Sequence, residues 1–430
     1  MRETIATAPA MELPPQAIDN LVEELRAYHP ISSSLFRRRE QREGAAQSLH
    51  GLVLEMPRKS LEPMVLALDG SDFLKQGQES VGVKRQYCGE VGKRANCQAG
   101  VYLGYASRQG YTLLDRRLSV PQEWVEDEAY AERRRRCGVP AAVTFKPKPT
   151  LGWEMMQAVH QAGTLRARWV TCDEACGRDT SLLDHIDGLG LWYFAEVPHD
   201  TQVWQRRPAT AVPAWSGQGR KPTRTRVLAG ETAPEEVALL AAARPADRWV
   251  RCTIKEGSKG PLVARVAALR VMAVREGLPG PEVWLVLRCN RMTGELKTSL
   301  CNAPADTPLA ALVRLRGMRW PIETCFEDGK QYLGMGDYEV RSWRGWHHHM
   351  TLCILAHGFL VRAHLRLKKA PGLTIPQVQV LLCSILPRRV FDPQAVLEIV
   401  AYWQQRNRAA YVSHRKRRIA QLNQLGKVSL

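Results

Sequence analysis

The chain has 430 residues, 45% apolar and 24% charged, enough for two or three domains around ordinary hydrophobic cores. Its 61 Lys and Arg against 43 Asp and Glu leave a net charge of +18, which implies an anionic partner, nucleic acid first, although an RNA-binding or a membrane-surface protein would share that charge. Eleven cysteines without a Cys-x-x-Cys pair exclude a disulfide scaffold and a zinc finger, and the longest apolar stretch, Met350 to Val361, is too short to span a bilayer. With no signal-peptide pattern at the start, the expectation is a reduced, cytoplasmic protein with no membrane partner.

After a loose tail, Pro14-Pro15 start a predicted helix carrying Ile18, Leu21, Val22 and Leu25 at helical spacing. The basic run Arg37-Arg38-Arg39 and Arg42 suits a solvated face and a DNA contact equally. The apolar run Val65 to Leu68 predicts a short buried strand that ends in Asp69-Gly70-Ser71-Asp72. Both aspartates stand in a Gly/Ser stretch, where Asp is also favoured for turn chemistry alone. Ser80 to Gly89, with Lys84 and Arg85, suits a loop lying near phosphates.

Strands are predicted at Gln98 to Tyr105 and Tyr111 to Leu118, joined by a hairpin at Ser107 to Gly110. A helix over Leu151 to Ala162 follows, then a buried strand Arg168 to Cys172 with Asp173 at its end. Asp173 could equally cap the helix predicted over Ser181 to Ile186 and its approach. Leu191 to Ala195 is another strand. Three strands, a helix, a strand ending in an acid, a helix and a strand make the layout of an RNase-H-like α/β fold, a mixed sheet flanked by helices.

From about 201 to 305 the pattern turns β-rich, with strand-like runs at Trp249 to Ile254 and Val283 to Arg288. Arg220, Lys221, Arg224 and Arg226 form a flexible basic segment there, suited to a phosphate backbone. The domains expected are an N-terminal helical and basic region (1–62), a first core segment (63–200), a β-rich insertion (201–305), a second core segment (306–370) and a basic C-terminal helical region (371–430).

Arg319 to Lys330 predicts a helix with Pro321 in its first turn. Arg319 and Glu323 are four residues apart and Glu323 and Lys330 seven, so all three project from one side. Ile322, Phe326 and Leu333 make an adjoining apolar stripe. A carboxylate between two cations on a packed helix suits a site for metal ions and phosphates, and equally a solvated face of i,i+4 ion pairs. His347-His348-His349 begins another predicted helix; consecutive helical residues point about 100° apart, so the three cannot share one ion.

The spacing Arg319, Glu323, Lys330 resembles the Tyr-x-x-Arg-x-x-x-Glu-x-x-x-x-x-x-Lys signature of DDE-group insertion-sequence transposases, with Arg316 at the Tyr position. Asp69 to Leu118, Trp169 to Pro198 and Arg319 to Leu360 look like blocks of one subgroup, most specifically Ser80-Val81-Gly82-Val83 with Arg85-Gln86-Tyr87-Cys88-Gly89, and Asn96-Cys97-Gln98. The resemblance implies a catalytic, metal-holding triad of Asp69, Asp173 and Glu323, with Asp72 the alternative for the first place. It implies two Mg²⁺ ions, Mn²⁺ able to substitute, and Arg319 and Lys330 holding phosphates. Cleavage and strand transfer of an insertion sequence follow, with element ends and target DNA as partners, a homodimer on the DNA and a nucleoid-associated place in a bacterial cytoplasm. A nuclease of the same core without strand transfer and a non-catalytic DNA-binding remnant are the alternatives. In that subgroup several tens of residues separate the Arg58-Lys59-Ser60 to Met64 motif from the first Asp. Here Met64 almost abuts Asp69, so the chain looks internally shortened, and Val65 to Leu68 must itself supply the first strand.

Overall fold

The computed structural model describes residue 23 and residues 64–424 except 108–109, 164, 166, 216–217, 219, 258–259, 291–292, 368–372 and 386–392. The helix expected near Ile18 to Leu25, the Arg37 to Arg42 run and most of the Arg58 to Met64 motif lie outside the described residues. Two compact units divide the chain, one up to Gln379 and one from Val380. Among the described residues no helix is long and apolar enough to cross a membrane.

The first unit is built on one mixed sheet. Its core strands are β1 (Val65–Leu74), β2 (Lys84–Cys88), β3 (Lys93–Ala106), β4 (Tyr111–Ser119), β5 (Trp169–Cys172) and β6 (Trp192–Val197). β3 lies antiparallel between β1 and β4, while β5 is parallel to β1 and β6 parallel to β5. The resulting order β4-β3-β1-β5-β6 is the RNase-H-like arrangement expected from the sequence. Val65 to Leu68 are buried on both faces, as a strand in the parallel middle of such a sheet must be.

Helices cover both faces. Lys148–Ala162 (α1) and Thr180–Gly188 (α3, after the single turn α2 at Glu174–Gly177) bury Met155, Met156, Leu183 and Ile186 with Leu66 and Leu68. On the other face Leu309–Gly317 (α4), Trp320–Tyr332 (α5) and Trp343–Arg366 (α6) follow; Ile322, Cys325, Trp346 and Met350 pack there with Ala67, Phe73 and Tyr102.

The insertion extends this same sheet. Strands β7 (Gly260–Arg275), β8 (Leu278–Asn290) and β9 (Leu296–Cys301) form an antiparallel run whose last member pairs with β6, Ser299 opposite Glu196. The first turn of that run is tight: Glu276 (φ 51°) and Gly277 (φ 77°) both take the left-handed backbone that a two-residue hairpin requires. In the second unit, the helix Pro393–Gln424 (α7) is exposed along most of its length and carries Arg415 to Arg418.

Two local expectations are corrected. The Asp69-Gly70-Ser71-Asp72 stretch is no turn: β1 runs on to Leu74, because β3 continues to pair with it as far as Leu74 opposite Cys97. Lys84 and Arg85 lie in strand β2 rather than a loop, paired to β3 with Lys84 and Gln86 half-buried and Arg85 and Tyr87 exposed.

Candidate active site

Asp69 lies where the parallel neighbour of β1 stops. Leu68 pairs with Cys172, and Cys172 with Ala195, so the next residues, Asp69, Asp173 and Glu196, stand level on three adjacent strands. Residues at one level of parallel strands share a face. Asp69 lies on the Ala67 and Phe73 face, over which α5 packs. Asp72, three residues on, belongs to the opposite face. Its Oδ2 accepts from Gly89 N at 2.7 Å and ties β1 to the turn after β2.

Asp173 leaves β5 in an extended conformation and caps α2, with Oδ1 accepting from Cys176 N at 2.9 Å. The capping role is real, and it fixes the carboxylate at the strand end. The cap works because α2 hugs β6: a Cβ on Gly177 would stand 1.9 Å from the Glu196 carbonyl oxygen, so only glycine fits there.

Glu323 arrives on α5, whose seat on the sheet is set by small residues. The Ile322 side chain lies 3.2 Å from where a Cβ on Gly104 of β3 would be. The buried stripe of α5 is Ile322, Cys325, Asp328 and Gly329, rotated from the expected Ile322, Phe326, Leu333. Cys325 and Gly329 permit the closer approach, and Phe326 packs edge-on against Tyr102 at 5.3 Å from the stripe's flank. Asp328, absent from the sequence expectation, is buried opposite His357 of α6, 3.4 Å away, and joins the two helices.

Arg319 begins α5 and organises the site. Nη1 donates to Asp69 Oδ2 at 2.8 Å and Nη2 to Glu323 Oε1 at 2.6 Å. Nε is 3.8 Å from Glu196 Oε1. Residues 250 apart in sequence are thus joined by one guanidinium. Burial pushes the Asp69 carboxyl up to about 7; Arg319 opposes this, Asp173 adds to it, the Gly70 amide opposes and Glu323 adds. Arg319 itself is pushed up, burial working against the combined pull of Asp69, Glu196, Glu323 and Asp173.

The remaining expected residues are spread more widely. Lys330 Nζ donates to the Asp72 carbonyl at 3.0 Å and pairs with Glu90 at 3.2 Å, pinning the far end of α5 to β1. Lys84 pairs with Glu123, and Arg85 is exposed on β2. Arg220, Lys221, Arg224 and Arg226 are exposed on and ahead of the second strand of a two-stranded sheet separate from the one that carries the acids. His347 packs against Trp343 and Trp346, pushed down to about 4 by burial and then by Arg116 and Arg117. His349 meets the Gly334 carbonyl at 3.1 Å.

Glu196 is the residue the sequence reading missed. The predicted strand stopped at Ala195, one residue short. Its signal was its place, one residue past the end of a strand expected to run beside the one that ends at Asp173. All four acids offer hard oxygen donors of the kind Mg²⁺ prefers. Among the described residues no three Asp, Glu, His or Cys are grouped to hold one metal ion, and the positive charge at the centre of the carboxylates is Arg319. The donor set fits a divalent cation in chemistry, all four being carboxylates.

Residues 64–261 match the family model described as DDE superfamily endonuclease, whose members use divalent metal ions. The match opens one residue ahead of β1 and takes in Asp69, Asp173 and Glu196, while α5 follows it. No curated protein matches significantly. A cryo-EM structure of the piggyBac transposase synaptic complex with hairpin DNA aligns at 9% identity and a TM-score of 0.37, covering 93% of this chain and 78% of that one. Over residues 64–261, a little under half of its length, the chain is similar to the DDE superfamily of endonucleases.

Proposed function

We propose that the chain is a transposase that cuts DNA and transfers strands for an insertion sequence, with Asp69, Asp173 and Glu323 as its catalytic, metal-holding carboxylates. The observation that carries this reading is the meeting of Asp69 and Glu323 on one guanidinium, with Asp173 level with Asp69 on the next strand. When bound, a pair of Mg²⁺ ions, or Mn²⁺ in their place, supplies Lewis acidity for in-line displacement at phosphorus. The chain's own part is to fix three oxygen donors from three elements, two on rigid strand ends and one on a packed helix. Asp173 is oriented by its cap, and Glu323 by Arg319. Arg319 and the Lys330 end of α5 carry the positive charge that meets the scissile phosphate.

DNA is the partner. Lys84, Arg85, Arg220, Lys221, Arg224 and Arg226 are assigned to its backbone. Joining two element ends requires two active sites, so a homodimer on DNA is expected in a nucleoid-associated setting. The domain organisation proposed with this function keeps 63–200 and 306–370 as the two halves of the core, 201–305 as the insertion, and 1–62 and 371–430 as basic flanks.

The deciding experiment incubates the full chain with element-end DNA, with and without Mg²⁺. Mg²⁺-dependent nicks followed by joined products support the transposase. Nicks alone identify a nuclease, and binding without cleavage a DNA-binding remnant.

Binding should weaken steeply with salt, because released counterions drive much of it. Neutralising Arg220, Lys221, Arg224 and Arg226 together should flatten the slope of log affinity against log salt by about three to four. An unchanged slope removes this segment from the backbone contacts. The short path from Met64 to Asp69 supports an internally shortened chain, for which footprints should show little preference for element ends over random DNA; a sharp footprint on the ends refutes the shortening as a cause of lost specificity.

A further inference from the structure

Arg319 is engaged more fully than a phosphate-binding arginine needs to be. Its three nitrogens face three different carboxylates: Nη1 faces Asp69 at 2.8 Å, Nη2 faces Glu323 at 2.6 Å, and Nε faces Glu196 at 3.8 Å. The first two are charge-assisted hydrogen bonds and the third is a looser ion pair. Glu196 is also 3.8 Å from Lys297 Nζ, and its side chain is only 13% exposed. Its backbone pairs with Ser299 of β9, one residue past the last pairing of β6 with β5, and α2 closes over its carbonyl at Gly177. Glu196 is therefore a fixed carboxylate beside the three acids assigned to the metal.

We propose that Arg319 is the resident counter-ion of the metal-free site and that Glu196 is the positioning residue that receives it. The idea rests on the reading of Asp69, Asp173 and Glu323 as metal-holding groups. The oxygens that Arg319 occupies, Asp69 Oδ2 and Glu323 Oε1, are those a divalent cation needs. One set of lone pairs cannot serve both cations at full strength, so guanidinium and metal compete. A guanidinium expelled into water would lose all three partners. One that shifts toward Glu196 keeps a partner and stays next to the scissile phosphate. The 3.8 Å gap on Nε is the slack in this arrangement: the contact is made only loosely while Asp69 and Glu323 hold the other two nitrogens.

The test measures Mg²⁺ affinity of the full chain without DNA, by calorimetry and by the rise in Tm with Mg²⁺. Arg319→Gln should bind Mg²⁺ about tenfold more tightly than wild type, within the usual range of site-to-site coupling. It should also have a lower Tm without Mg²⁺ and gain more on addition. Glu196→Gln should bind about three- to tenfold more weakly. In the Arg319→Gln background, Glu196→Gln should change Mg²⁺ affinity little, because no guanidinium remains to be received. Arg319→Lys, whose single ammonium cannot face three carboxylates, should fall between wild type and Arg319→Gln, and it serves if Arg319→Gln does not fold.

Equal weakening by Glu196→Gln in both backgrounds would make Glu196 a metal ligand and overturn the proposal. So would a Glu196→Gln effect confined to the metal-free Tm, or unchanged affinity in both Arg319 variants. Absence of Mg²⁺ binding in wild type and in every variant would instead bring down the metal-site reading itself. Binding that appears only in Arg319→Gln or Arg319→Lys would support the competition directly.

Discussion

Glu323→Gln should lower DNA cleavage by about a hundred- to a thousandfold while leaving DNA affinity nearly unchanged. A carboxylate that holds a catalytic cation supports several kcal/mol of transition-state charge stabilisation, and each 1.36 kcal/mol is tenfold in rate. Glutamine keeps the length and shape of the side chain. Its amide oxygen can still accept from Arg319 Nη2, which lies 2.6 Å from Oε1 in the native site. The helix should therefore stay docked through Ile322, Cys325 and the Asp328–His357 contact. Removing one negative charge does not weaken attraction to phosphates, so binding is spared. Asp173→Asn should behave likewise, because its amide oxygen can keep the cap to Cys176 N. Single-turnover cleavage on end DNA, with filter binding in parallel, measures both quantities. Cleavage near the wild-type rate in Glu323→Gln would remove that residue from the mechanism.

What the sequence revealed of this site follows from how local each signal is. Asp173 and Glu323 were legible because each is defined within one element: an acid after the buried run Trp169 to Cys172, and a helix with Arg319, Glu323 and Lys330 at fixed spacing. Glu196 was not, because its importance comes from lying level with Asp69 and Asp173 across two strand pairings. The same holds for Lys330, whose partners Glu90 and the Asp72 carbonyl are some 240 and 258 residues away. The Arg319 contacts to Asp69 and Glu196 are tertiary too; only its i,i+4 pair with Glu323 could be read from spacing.

The fold shows the same division. The core strand order was legible because alternation and apolar runs mark β1, β3, β4, β5 and β6 singly. β7 was missed, although it is 16 residues long. Arg265, Arg270 and Arg275 break its apolar run, and Arg265 and Arg270 are accommodated by lying over Trp249 and Trp284, an arrangement visible only once the strands pair. The one local clue was Glu276-Gly277, a two-residue hairpin turn.

Asp69→Asn should be inactive and yet, without divalent metal, more stable than wild type near neutral pH. The folded chain holds the Asp69 carboxyl at about 7 against an ordinary 3.8, so between those values the native state keeps a proton that the unfolded chain has released. The stability this carboxyl contributes is fully present below about pH 4 and is lost as pH rises through 7. The gap corresponds to roughly 4 kcal/mol at most, and water reaching the open side of the site reduces it. Asparagine cannot ionise, so the difference in unfolding free energy between Asp69→Asn and wild type should grow in the variant's favour from pH 4 to pH 7. Mg²⁺ should cancel that advantage, because a bound cation favours the ionised carboxylate that only the wild type has. Asp72→Asn is the parallel control. Its carboxylate serves the Gly89 amide on the other face of β1, so it should retain cleavage. Denaturant titrations at pH 4, 5.5 and 7, with EDTA and with Mg²⁺, give the comparison. An Asp69→Asn curve parallel to wild type would mean that the buried proton is absent, and inactivity of Asp72→Asn with full activity of Asp69→Asn would transfer the first catalytic position to Asp72.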